Sequence, residues 1–431
     1  MHQLAEELNK TLGSGAAYRL LSDFGRRIYF PKGIVAQSAE AREQSSEFNA
    51  TAGLALASGV PMTLPALDAL LPGISPKESV DYAPTGGIKG LREAWRKEIL
   101  RKNPSCDEKT FGLPVVTPGL TAGISQLADL FIDEGDAVLL PELFWGNYTL
   151  IFAQRRQGEM IPFPFFSETG GFNLEGFRRA VESLADRDKL LVLLNFPNNP
   201  TGYTPTPGEA RGIVEVLAER GAAGKATLAV CDDAYFGLTY EAESFTESLF
   251  GLLAKAQENI LAVKVDGATK EEFAWGLRVG FLTFGGTGTP PEARDALATK
   301  LTGSLRAAIS NSSNLGQHLV LRLLSDPDHQ KQKKEVREIL EKRYRKVRTI
   351  IAEMPGDTGL SPLPFNSGYF MAFRCEGISP EELRKALLRK GVGTISLGSD
   401  ILRVAYAAVD EELLPEIYSR IFAAAKELRK G

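Results

Sequence analysis

The chain has 431 residues, 50 basic and 54 acidic, for a formal net charge of −4, with 43% apolar and 24% charged side chains. At about 150 residues per domain, that length suggests two or three domains with ample core, and the composition excludes a disordered or coiled-coil chain. The slight acidity and lack of a Lys/Arg-rich block exclude an electrostatic footprint for nucleic acid, and no apolar run approaches the roughly 18 residues of a membrane span.

In chain order, the start MHQLAEELNKTLG is polar and acid-bearing, unlike a secretory or transit peptide, and the expected location is the cytoplasm. The first 75 or so residues carry no clear rhythm, and the stretch Phe48–Gly59 is rich in small residues. From about 88 to 285, short apolar runs alternate with amphipathic stretches. Strands are predicted at Val115–Thr117, Ala137–Pro141, Leu190–Phe196, Thr227–Cys231, Ile260–Val265 and Arg278–Phe284. TAGISQLADLFIDEG, NLEGFRRAVESLAD and PGEARGIVEVLAERG read as the helices between them. Nearly all-apolar strands alternating with helices predict an α/β domain with a mainly parallel sheet covered on both faces. Three helical stretches follow, the last of which, HQKQKKEVREILEKRYRKVRTIIAEM, reads as exposed. SGYFMAFR, SPEELRKALLRKG, ILRVAYAAV and a final helix then predict a smaller α+β domain. The expected divisions are 1–75, an N-terminal segment of the small domain, 76–312, the large domain, and 313–431, the rest of the small domain.

The rare residues narrow the chemistry. Cys106, Cys231 and Cys375 are odd in number and widely spaced, which argues against a disulfide framework or a thiolate zinc site. The histidines are His2, His318 and His329, and none forms a metal-binding or triad pattern, so no metal is expected. Acid–base chemistry is left to lysine, tyrosine or carboxylate.

Four strings stand out. Thr117-Pro118-Gly119-Leu120-Thr121-Ala122-Gly123 opens a helix after a strand, where free N–H groups and the helix dipole suit a phosphate. It matches neither a P-loop nor a dinucleotide glycine fingerprint, which leaves a nicotinamide dehydrogenase without its signature. Asn195-Phe196-Pro197-Asn198-Asn199-Pro200-Thr201-Gly202 makes a stiff turn at the carboxyl end of a parallel strand, where α/β sheets bind ligands. Cys231-Asp232-Asp233-Ala234-Tyr235 places a carboxylate at the end of another, where low-dielectric surroundings demand a cation. In the fourth, Lys270 follows a strand and Arg278 comes eight residues later. A lysine so placed can lose its proton and form a Schiff base with a carbonyl. Taken singly, these strings also read as a capped turn, a loop charge and a surface cation pair.

Together, in this order, the strings resemble the fold-type I pyridoxal-phosphate enzymes, specifically the class I/II aminotransferases, over roughly residues 80 to 410. The resemblance implies a large domain with a mainly parallel seven-stranded sheet and a smaller α+β domain. It implies pyridoxal 5′-phosphate held covalently by Lys270, with Asp232 pairing to the pyridinium nitrogen and Tyr235 and Asn199 bonding the phenolic oxygen. Arg278, Gly119, Leu120, Thr121 and Thr269 would surround the phosphate, and Trp145 would stack on the ring and adjoin the substrate. Tyr82, in Tyr82-Ala83-Pro84-Thr85-Gly86, would reach the phosphate of a partner subunit, which implies a homodimer with shared active sites. Ser310 would make a similar contact across the interface. Arg403, mid-strand in an apolar run, would anchor the substrate α-carboxylate with help from Asn199. Arg306, before the Ser310-Asn311 pair, would read a distal carboxylate from the partner, pointing to dicarboxylic amino acids. The implied reaction is ping-pong amino transfer between an L-amino acid and a 2-oxo acid. A β-lyase or decarboxylase on the same fold is the alternative, and a regulatory protein that binds the cofactor a more distant one. The chain departs from the resemblance at Gly267, where many relatives carry a serine. The N-terminal glycine signature is replaced by Asn49-Ala50-Thr51-Ala52-Gly53.

Overall fold

The computed structural model describes residues 1–12, 21, 23–29, 33–44, 47–51 and 53–430; Ala52 lies outside them. Strands β1 to β6 are Phe48–Asn49, Leu56–Ala57, Val60–Pro61, Val115–Thr117, Ala137–Pro141 and Glu159–Phe163. β7 to β10 are Lys189–Asn195, Ala226–Asp232, Ile260–Gly267 and Gly280–Gly285. β11 to β15 are Leu360–Pro362, Met371–Cys375, Val392–Gly393, Ile395–Leu397 and Ile401–Val404.

β4 to β10 form one seven-stranded sheet in the order β4-β10-β9-β8-β7-β5-β6. The runs that predicted them are nearly all-apolar, and both faces of the central strands are buried almost throughout. All pairings are parallel except those of β10, which runs antiparallel to β4 and β9. Register aligns Asn195 with Asp232, Gly267 with Gly280, and Gly280 with Thr117. The carboxyl ends of β4, β7, β8 and β9 therefore meet at one edge of the sheet.

Sequence reasoning missed β6, EMIPF, because its alternation is broken by Pro162. A proline is tolerated there because β6 is the edge strand. Arg278 does not open β10; it sits just before it with φ of 54° in the left-handed region. The helix His329–Ala352, expected to be exposed, buries His329, Val336, Leu340, Arg343, Tyr344 and Val347 along one face. Its abundant charges hid a stripe that the spacing does contain.

β11-β12-β15-β14 make a second, four-stranded antiparallel sheet. The N-terminal part joins this side of the molecule, as β1 pairs in parallel with β13, Phe48 opposite Val392. Among the described residues, no helix is long and apolar enough to cross a membrane.

Candidate active site

At the common strand edge lies a cavity of about 310 Å³, lined by Lys270, Asp232, Tyr235, Asn199, Trp145 and Arg403 among others. Leu120 and Thr121 line it from the first turn of the helix Leu120–Phe131.

Lys270 projects from the short helix Ala268–Glu271, which begins where β9 ends. Its Nζ lies 4.4 Å from the centre of the Tyr235 ring. Burial, opposed by Asp232 and reinforced by Arg278, brings this amine down to about 8. Asp232 is fully buried at the end of β8, and burial raises its carboxyl above the ordinary range. It accepts a hydrogen bond from the Tyr148 hydroxyl and one of 3.2 Å from the Ala234 amide. No cation within ion-pair distance faces it among the described residues. Burial likewise raises the Tyr235 hydroxyl.

Asn195 and Asn199 fix the neighbouring turn. Asn195 Nδ2 donates to the Asp232 carbonyl at 2.9 Å, and its Oδ1 accepts from the Asn199 amide at 2.9 Å. Asn199 Oδ1 in turn accepts from Arg403 Nη1 at 3.0 Å. Arg403 stands on β15 of the other sheet, 1% exposed, with Nη2 donating to the Thr51 carbonyl at 3.1 Å. Its guanidinium lies 4.2 Å from the centre of the Phe370 ring, and among the described residues Nε has no partner and no carboxylate balances it. Burial lowers it to about 10. A buried guanidinium without an anion of its own is an anion receptor.

Arg278 and Gly119 flank the cavity and do not line it. Arg278 packs so closely on Gly119 that a Cβ there would fall 2.4 Å from Nη2. Among the described residues the buried Thr269 hydroxyl has no partner. At Gly267 a side chain has no room, since a Cβ would meet the Val279 carbonyl at 2.7 Å and Gly280 Cα at 2.8 Å. The absent serine thus has a steric cause. Tyr82 is 85% exposed. Arg306 is also exposed, donates to Ser310 Oγ, and does not line the cavity of its own chain.

Sequence reasoning gave no role to several groups at the site. Tyr148 lies three residues beyond Trp145, and its ring meets that of Trp145 edge-on at 5.4 Å; the aromatic string was visible, but its bond to Asp232 was not. Ser38, Arg42, Thr51 and Phe370 also line the cavity. Behind it, Lys264 pairs with Asp233 and Asp266, all buried. His329, from a charged run of the sequence, is buried against Glu272 at 2.6 Å.

A family model described as aminotransferase class I and II matches residues 57–421. Fold and site define a fold-type I enzyme whose cofactor is pyridoxal 5′-phosphate. The chain belongs to the aminotransferase class I and II family, and it is an aminotransferase. It is 28% identical over 361 residues to a probable aspartate/prephenate aminotransferase of Aquifex aeolicus, covering 80% of this chain and 84% of that one. It shows the same identity and coverage with the aspartate/prephenate aminotransferase of Thermus thermophilus. A solved aminotransferase from Anaerococcus prevotii superposes with a TM-score of 0.82 at 23% identity, over 93% of this chain and 98% of that one. These matches favour amino transfer over the lyase, decarboxylase and regulatory alternatives.

The residues present fit the cofactor. Asp232 is a buried carboxylate awaiting a cation, Thr269 a buried hydroxyl awaiting an acceptor. Gly119, without a Cβ, lets the Arg278 guanidinium pack against the helix terminus, so that both donors suit an anionic group.

Proposed function

We propose that the chain transfers the amino group of dicarboxylic L-amino acids to 2-oxo acids, with Lys270 as covalent anchor and proton carrier. One observation carries the reading: a depressed lysine amine and an unbalanced arginine face the same cavity. Bound pyridoxal phosphate supplies an electron sink for the carbanion left when the substrate Cα–H bond breaks. Arg403, steadied by Asn199 and the Thr51 carbonyl, grips the α-carboxylate in a two-point fork and turns Cα toward Lys270. The Lys270 amine takes the proton from Cα, and at about 8 it is poised to accept and release one near neutral pH.

Asp232 would face the ring nitrogen and keep it protonated, with Tyr148 holding that carboxylate in place. Tyr235 and Asn199 would bond the phenolic oxygen; Asn199 has already given its carbonyl to Arg403 and keeps its amide to donate. Arg278, Thr269 and the 119–121 turn would hold the phosphate, and Trp145 would cover the ring. Exposure of Tyr82, Val80 and Ile309 supports a homodimer in which Tyr82 and Ser310 reach the partner's phosphate. The pairing of β1 with β13 supports joining residues 1–75 to 313–431 as one small domain beside 76–312. Three free thiols suit a reducing cytoplasm.

Aspartate and prephenate, named for the two relatives, each bear two carboxylates, which supports the substrate class. Mixing the holoenzyme with single amino acids tests it. L-Aspartate or L-glutamate should bleach the imine absorption band, whereas release of ammonia or carbon dioxide without bleaching overturns amino transfer.

A further inference from the structure

The helix Ile34–Gln44 brings a second arginine to the cavity. Ser38 and Arg42, one helical turn apart, both line it. The helix is pinned from its other side. Gln37 exchanges two hydrogen bonds with the Ser396 backbone, at 3.1 and 2.9 Å, and Glu40 pairs with Arg384 at 2.8 Å. Ala41 is buried against Gly393, where a Cβ would come within 2.8 Å of its own. Arg42 is therefore fixed at the backbone, while among the described residues nothing hydrogen-bonds or ion-pairs with its guanidinium. Of the neighbouring acids, Glu40 and Glu47 are taken by Arg384 and Arg420, while Glu43, next along the helix, lies on a different face from Arg42.

Among the described residues the cavity thus has two guanidinium groups without a carboxylate partner, Arg403 at its buried floor and Arg42 at its exposed rim, and Asp232 as its single acidic lining residue. A ligand with one carboxylate satisfies only one of them. We infer that Arg42, with Ser38 beside it, is the subsite for the distal carboxylate of a dicarboxylic substrate, supplied by the same chain that supplies Lys270. This rests on the dicarboxylate reading above and names its reader. The alternative reader is the partner's Arg306, and the two are separable.

The test compares holoenzymes carrying Arg42→Gln, Arg42→Lys and Arg306→Gln with the wild type. Each is assayed in half-reactions with L-aspartate, L-glutamate, L-alanine and L-phenylalanine, and titrated with maleate as a non-reacting dicarboxylate. Loss of one charge-assisted contact should lower the ratio of dicarboxylic to monocarboxylic kcat/KM by about tenfold or more and raise the maleate Kd similarly. Arg42→Lys should recover part of both, and Arg306→Gln should leave both near the wild-type value. An unchanged ratio and Kd in Arg42→Gln, or a shift in Arg306→Gln instead, overturns the assignment while leaving the substrate class standing. A wild type that prefers the monocarboxylic amino acids overturns the substrate class and the subsite with it.

Discussion

Lys270 carries chemistry because its surroundings make protonation costly. Burial outweighs the attraction of Asp232, and the amine stands at about 8 in place of the usual 10.5. The neutral form is the nucleophile. Capture of pyridoxal phosphate by apoenzyme, followed by borohydride trapping, should therefore speed up as pH rises through about 8 and then level off. A midpoint near 10.5 would contradict the geometry, and Lys270→Ala should show no adduct at that position at any pH. Of the residues lining the cavity, Lys270, Asp232, Asn199 and Arg403 sat in strings or in a telling context such as an arginine within an apolar strand. Arg42 had none, and the aromatic string around Tyr148 gave no sign of its bond to Asp232. A helical arginine and an aromatic acquire meaning only when the fold brings them to Lys270 or Asp232.

At the scale of elements, the short helix bearing Lys270 is held from behind by charge. Glu271 pairs with Lys102 at 2.6 Å and Lys333 at 2.9 Å, while Glu272 pairs with Lys333 at 2.8 Å and His329 at 2.6 Å. Removing Lys333 takes away the cation that Glu271 and Glu272 share, leaving them Lys102 and His329 alone, and Lys333→Met should cost about 3 kcal/mol, read as a lower urea midpoint. These partners hold Glu271 at about 2, below its ordinary 4.5. A carboxyl depressed on folding contributes stability fully above 4.5 and loses it as pH falls toward 2. Wild-type stability should decline across that window, and Lys333→Met should lose part of this acid dependence. The alternation of strands and helices was legible because apolar runs of strand length are rare outside a parallel sheet. The cluster was not, since Glu271 and Glu272 read as surface charge until His329 and Lys333, some 60 residues away, close over them.

At the scale of the molecule, the exposed Tyr82 and Val80, 85% and 82% open, lie on the segment expected at a subunit boundary. Sedimentation of the holoenzyme should give a two-chain mass, and Tyr82→Phe should weaken cofactor retention by about tenfold without altering that mass. The two parts of the fold were legible in sequence, and residues 1–75 were expected beside the small domain; the β1–β13 pairing that joins them there was not, because two-residue strands leave no periodic trace.

The amine at 270 belongs to the seven-stranded sheet, and the guanidinium at 403 to the four-stranded one. Like the jaws of a pair of calipers, the two sheets set the gap that a substrate must bridge. Any tilt of one against the other resizes that gap for every ligand alike, and selection by chain length then becomes a matter of hinge angle as much as of pocket wall.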